Sequence, residues 1–131
     1  MKLNLLLSIS ALFMALVGLG YLVVPATMQF GTLNAGASDA LLANLRVVSS
    51  TFMGIAVVNW LARNSEPSTA LTAIIIANIV GFGLAAALDV FAVIVGGPVI
   101  QLLPAAISLL FALAFAWVWQ TAMSAKASPV M

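Results

Sequence analysis

The chain has 131 residues, of which 65% are hydrophobic and 5% charged. A soluble domain carries about 25% charged residues, and a fold of this composition has too little polar surface to cover itself in water. Its solvent is therefore lipid. The net charge of +1 arises from Lys2, Arg46, Arg63 and Lys126 against Asp39, Glu66 and Asp89, too few and too scattered to grip nucleic acid.

The sequence contains no cysteine and no histidine. That excludes disulfides, thiolate metal sites, histidine-held haem and imidazole acid–base chemistry. No metal site or cofactor is expected.

In chain order, the first apolar segment covers 3–24 and ends at Pro25, which cannot extend the helical ladder. Its single lysine and apolar run resemble a signal peptide, but the run continues for about 20 residues, the length of a membrane span. It reads as an uncleaved first helix. Residues 26–40 form the most polar long stretch, with a short interfacial turn expected around Thr27 to Phe30. Ser38 or Asp39 is placed to cap the second helix, 40–62.

A tight polar connection follows. Ser65 is expected to cap the third helix, 67–95, with Pro67 in its first turn. Gly96-Gly97-Pro98 breaks the chain. The fourth helix is expected over 99–123, with Pro104 either kinking it or marking its true first turn. The remaining residues form a short tail.

These elements predict one domain, 1–131: an all-α membrane protein built as an antiparallel four-transmembrane-helix bundle. With four spans, Lys2, Arg63 and Lys126 fall on one side. The positive-inside rule then makes both termini cytoplasmic in a bacterial plasma (inner) membrane. Trp60, Trp117 and Trp119 fall at that side, where an amphipathic ring sits well in the headgroup layer.

Two charges fall within spans. Folding the second and third helices about their connection sets residue 46 opposite residue 85, one helical turn (~5.4 Å) from Asp89. An Arg46–Asp89 ion pair is therefore expected. It reads as a structural clamp, since a proton path needs several titratable stations and no other acid lies in a span. Gln101, with Gln29 and Asn34 from the first loop, either packs as a wetted loop over that ion pair, the reading favoured here, or lines a shallow outward polar pocket. Small residues recur every fourth position in line with the two charges: Ser50 and Gly54 after Arg46 on the second helix, and Ala73, Ala77, Gly81 and Ala85 before Asp89 on the third. Such ridges let membrane helices approach closely, so Ser50, Gly54, Ala77, Gly81 and Ala85 are expected at a helix–helix contact. Asn59 and Asn78 need amide partners in lipid, either each other or a backbone carbonyl.

No HExxH, GxSxG or phosphate-cradling loop occurs. The first helix lacks the acidic residue of a small multidrug antiporter. Gly18 to Pro25, Arg46, Gly54 and Asn59-Trp60-Leu61-Ala62-Arg63 resemble the DoxX-like and DUF4345-like families of small bacterial four-helix membrane proteins. The first half carries the resemblance and the second half shares only hydropathy. The resemblance implies a membrane subunit, in some members beside a catalytic partner of quinone-linked oxidation, and it transfers no catalytic residue.

The expectation from sequence is thus a non-catalytic integral membrane protein, an accessory subunit of a larger complex or a small homo-oligomer. Its partners are the lipid bilayer and other membrane subunits or itself, without nucleic acid. The alternative is a small transporter or lipid- or quinone-binding protein using Arg46, Asp89 and Gln101.

Overall fold

The computed structural model describes residues 2–28 and 38–127, with the side chains of residue 26 and residues 122–127 left aside. Helix α1, Leu3–Val23, closes when the Val24 N–H donates to the Gly20 carbonyl at 2.8 Å. Pro25 then opens a single turn, α2, Pro25–Met28, where its missing N–H costs nothing. Thr27 and Met28 of the turn expected over 27–30 fall in it, and Gln29 and Phe30 lie outside the described residues.

Helix α3 spans Asp39–Ala62. Ser38 is its cap, its hydroxyl oxygen accepting from the Leu41 N–H at 3.2 Å, and Asp39 adds negative charge to the positive end of the helix dipole. At the other end Arg63 stacks 3.7 Å over the Trp60 ring and donates to the Trp60 carbonyl. One side chain thus supplies a cation–π contact and a partner for a terminal carbonyl.

Helix α4 is Thr69–Ile94. Its cap is Ser68 rather than the expected Ser65. The Ser68 hydroxyl oxygen accepts from the Leu71 N–H at 3.1 Å, and Pro67 falls outside the helix. Ser68 holds extended backbone and satisfies a first-turn donor, so the helix begins after the proline instead of on it.

The end of α4 is built by two glycines. The Gly97 N–H reaches back to the Ala92 carbonyl at 2.8 Å and the Gly96 N–H to the Val93 carbonyl at 3.1 Å, the paired bonds of a Schellman termination. Gly96 has φ +100, a conformation that costs other residues energy. A Cβ on Gly97 would lie 2.5 Å from the Ala92 carbonyl oxygen. Pro98 leads into a 3-10 turn, Val99–Gln101, and then into α5, Leu102–Ala127. Pro104 therefore lies in the first turn of α5, where an N–H has no helical partner to lose.

The described residues form a four-helix bundle whose long helices are each long and apolar enough to cross a membrane. Leu61 and Ile94 are 71% and 75% exposed, as suits side chains facing hydrocarbon. The chain is an integral membrane protein.

Packing divides the bundle into two hairpins. Helix α1 lies along α3 and α4 lies along α5, while α3 and α4 touch only briefly. The close approach of α1 to α3 occurs at Gly18, where a Cβ would stand 3.0 Å from Met53 and 3.2 Å from the Ser49 carbonyl. A small residue lets the backbones meet, as membrane helices require in the absence of a hydrophobic drive. The core gathers Leu6, Leu7 and Met14 of α1, Ala56 and Ala62 of α3, Leu71, Ile75 and Phe82 of α4, and Phe115 and Val118 of α5. It fills the end of the bundle next to the α3–α4 connection and leaves the other end less filled.

A lateral cavity as the candidate functional site

Between the hairpins lies a cavity of about 670 Å³, within the roughly 300–1,000 Å³ range of ligand sites. Its walls are largely apolar: Phe13, Met14 and Val17 from α1, Phe52 and Ile55 from α3, Ile74 and Phe82 from α4, Ile107 from α5. The seam between α1 and α5 is shut by aromatic rings. Phe13 lies 5.1 Å from Phe111, and Phe111 stacks on Phe82 at 4.7 Å.

The seam between α3 and α4 is not shut. Thr51, Gly54 and Val58 on one lip, and Ala77 and Gly81 on the other, line the cavity and are also exposed. A Cβ added to Gly54 or Gly81 would meet nothing within 4 Å. The cavity is therefore a slot open sideways, toward the region that lipid occupies around a membrane helix.

A polar lock holds one end of the slot. The Asn59 amide nitrogen donates to the Ser10 hydroxyl oxygen and to the Asn78 amide oxygen, each at 2.9 Å. The Asn78 nitrogen donates back to the Asn59 oxygen and to the Ile74 carbonyl, each at 2.8 Å. Both expected kinds of amide partner are present at once. Ser10 and Asn59 are fully buried. Ser10 had not stood out in the sequence, although a polar residue amid the apolar run of α1 was the signal. The lock ties α1, α3 and α4 together through side-chain hydrogen bonds.

At the other end stand Tyr21, Met28, Asp89 and Gln101. Tyr21 stacks on Phe52 at 5.5 Å, across the α1–α3 pair, and lies close enough to feel the charge of Asp89. Gln101 is carried over the slot by the turn after Gly97. Two buried side-chain polar atoms lack a hydrogen-bond partner among the described residues, Trp119 Nε1 and Gln101 Oε1. The first belongs to the packed end; the second is sealed beside the Gly97 turn, although Gln101 as a residue lines the cavity. Leaving such an atom unpaired costs about 1–3 kcal/mol.

The expected Arg46–Asp89 ion pair is not formed: no ion pair joins them among the described residues, and Arg46 is exposed on α3 while Asp89 is half-buried on the slot wall. The height along the helices was estimated for a continuous α3–α4 contact. The slot opens between those helices and removes that contact. For the same reason Gly54, Ala77, Gly81 and Ala85 line a void instead of a helix–helix seam. Ser50 is exposed, its hydroxyl donating to the Val47 carbonyl at 2.7 Å; the buried neighbour is Ser49, opposite Gly18. Gln29 and Asn34, expected beside Gln101, lie outside the described residues.

Fold and site together define a four-span helical membrane protein with a laterally open internal slot. No family model matches the chain, and no curated protein or solved structure is significantly similar to it.

Proposed function

We propose that this is a non-catalytic, lipophile-binding protein of the bacterial plasma membrane, which admits a single molecule from the bilayer into the slot between its hairpins. The observation that carries the reading is the lateral opening itself. Exposed Gly54 and Gly81 both line the slot and leave space beside them, and a molecule already dissolved in the bilayer enters there without crossing water. The apolar lining supplies affinity in proportion to the area it covers, and the few polar groups at the far end orient the occupant. With Lys2, Arg63 and Lys126 on the cytoplasmic side, the Asp89 end of the slot belongs to the outer leaflet.

The experiment is purification in mild detergent followed by native mass spectrometry. The wild type is expected to retain a lipophilic molecule in near-stoichiometric amount. Gly81→Leu, which places a side chain in the slot where a glycine now leaves space, is expected to lose it while keeping its helical content. Equal retention by both proteins would refute the slot. A stoichiometric membrane partner retained in place of a small molecule would return the accessory-subunit reading.

A further inference from the structure

Among the described residues the buried polar ones are Ser10, Ser49, Asn59, Asn78 and Ser108. All but the last are matched within the protein. Asn59 and Asn78 bond to each other, Ser10 accepts from Asn59, and Ser49 donates to the Arg46 carbonyl. Ser108 is 7% exposed, and its hydroxyl makes no hydrogen bond among the described residues. A helical serine can donate to a carbonyl one turn back, and Ser8 and Ser50 do so here. Ser108 does not.

Its oxygen is nevertheless not sealed. The side-chain atoms that are both sealed and unpartnered are Trp119 Nε1 and Gln101 Oε1, and Ser108 Oγ is not one of them. Ser108 lines the slot, so the little surface it keeps lies on the cavity.

The packing of α5 on α4 sets the depth of that hydroxyl. Phe82 stacks on Phe111. Across this hairpin Ser108, just before Phe111, stands about level with Ala85, just after Phe82. Asn78 of the amide lock lies roughly 10 Å further in at the helical rise, and Asp89 one turn (~5.4 Å) further out. Between Ser108 and the lock the walls are Phe13, Ile55, Ile74 and Phe82. The hydroxyl thus stands part-way along an apolar channel. There it costs free energy until it is bonded, and its donor is the more demanding half, since orphaned donors are rarer in proteins than under-used acceptors.

We infer that the slot selects an acyl ester, whose carbonyl oxygen accepts from the Ser108 hydroxyl and whose tail runs inward toward the amide lock. This rests on the slot being a lipid-side binding site and adds to it the chemical group recognised. A carbonyl accepts and brings no donor of its own, so nothing is left unmatched between the apolar walls. An alcohol would bring a second donor to the same place, and a carboxylate would bring a charge. An ester also joins its acceptor directly to a hydrocarbon tail, which suits one hydroxyl with an apolar channel beyond it.

The test uses the full chain in nanodiscs of diether phosphatidylcholine, a lipid without carbonyl groups, with empty nanodiscs as the partition control. Methyl tetradecanoate, pentadecanol and hexadecane have chains of equal length and differ in polar group. The ester is expected to bind the wild type about three- to tenfold more tightly than hexadecane, the scale of one net hydrogen bond. Its infrared carbonyl stretch should move to lower wavenumber on binding. Ser108→Ala should remove both the advantage and the shift while leaving hexadecane binding unchanged. It loses no hydrogen bond made within the protein, so the unliganded variant should unfold at the same detergent fraction as the wild type. Gly81→Leu should weaken all three probes together.

Equal binding of ester and hexadecane, with an unshifted carbonyl band and no response to Ser108→Ala, would overturn the ester assignment while leaving the slot intact. Tighter, Ser108-dependent binding of pentadecanol than of the ester would also overturn it. Binding of no probe above empty nanodiscs, or full binding to Gly81→Leu, would overturn the slot and the ester together. If diester phosphatidylcholine in the nanodisc displaces methyl tetradecanoate, the ester is that of a membrane lipid; without displacement it is a free single-chain ester.

Discussion

Asn59 can be replaced by leucine with little change in volume, and its environment sets the cost. The variant would leave the Asn78 amide with one donor and its oxygen unpaired in a buried site. Unmade buried hydrogen bonds cost about 1–3 kcal/mol, and interhelical ones in membrane proteins average nearer 0.6 with a maximum near 1.7. Asn59→Leu is therefore expected to destabilise by about 1–2 kcal/mol. Asn59→Leu with Asn78→Leu should cost clearly less than the sum of the two single changes, because neither amide is then stranded. Unfolding in mixed micelles under increasing denaturing detergent, followed by circular dichroism, gives the four values of the cycle. Additive costs would mean that the two amides do not act as a unit.

This pair was legible in the sequence because a lone amide in lipid has few choices. The Arg46–Asp89 pair was misread because distance from a turn gives height along a helix but says nothing of the gap between two helices.

At the scale of the element, glycine marks two opposite situations. Gly18 sits where α1 and α3 nearly touch, and Gly54 sits where nothing is within reach. Gly18→Val should crowd Met53 and the Ser49 carbonyl and destabilise by about 1–3 kcal/mol, the usual cost of overpacking. Gly54→Ala meets no neighbour and should stabilise by about 0.5–1 kcal/mol through the restricted unfolded chain. Opposite signs in the same micelle unfolding assay are the expected result. Destabilisation by Gly54→Ala would show that α3 packs closely there.

Sequence alone could not separate the two cases, since small residues every fourth position suit a tight seam and an open slot equally. The terminations were more readable. Gly96-Gly97-Pro98 admits hardly any continuation of a helix, and the bonds from Gly96 and Gly97 back to Val93 and Ala92 complete that stop. The cap of α4 moved from Ser65 to Ser68 because several serines near Pro67 offer nearly equivalent hydroxyls.

For the whole molecule, composition dictated four apolar helices, whereas the slot depends on how one hairpin leans on the other. That lean is set by the amide lock and the stacked phenylalanines at one end, contacts between residues far apart in sequence such as Phe13 and Phe111. No local pattern encodes it. The orientation of the slot in the membrane follows from charge instead, and because the chain has no cysteine it can be read with single introduced thiols. Val99 is 70% exposed beside Gln101, and Ser65 is exposed in the α3–α4 connection. On intact cells a membrane-impermeant maleimide should label Val99→Cys and leave Ser65→Cys unlabelled until the membrane is permeabilised. The reverse pattern would place Lys2, Arg63 and Lys126 outside, against the charge bias that orients such helices. The Asp89 end of the slot would then draw its occupant from the inner leaflet.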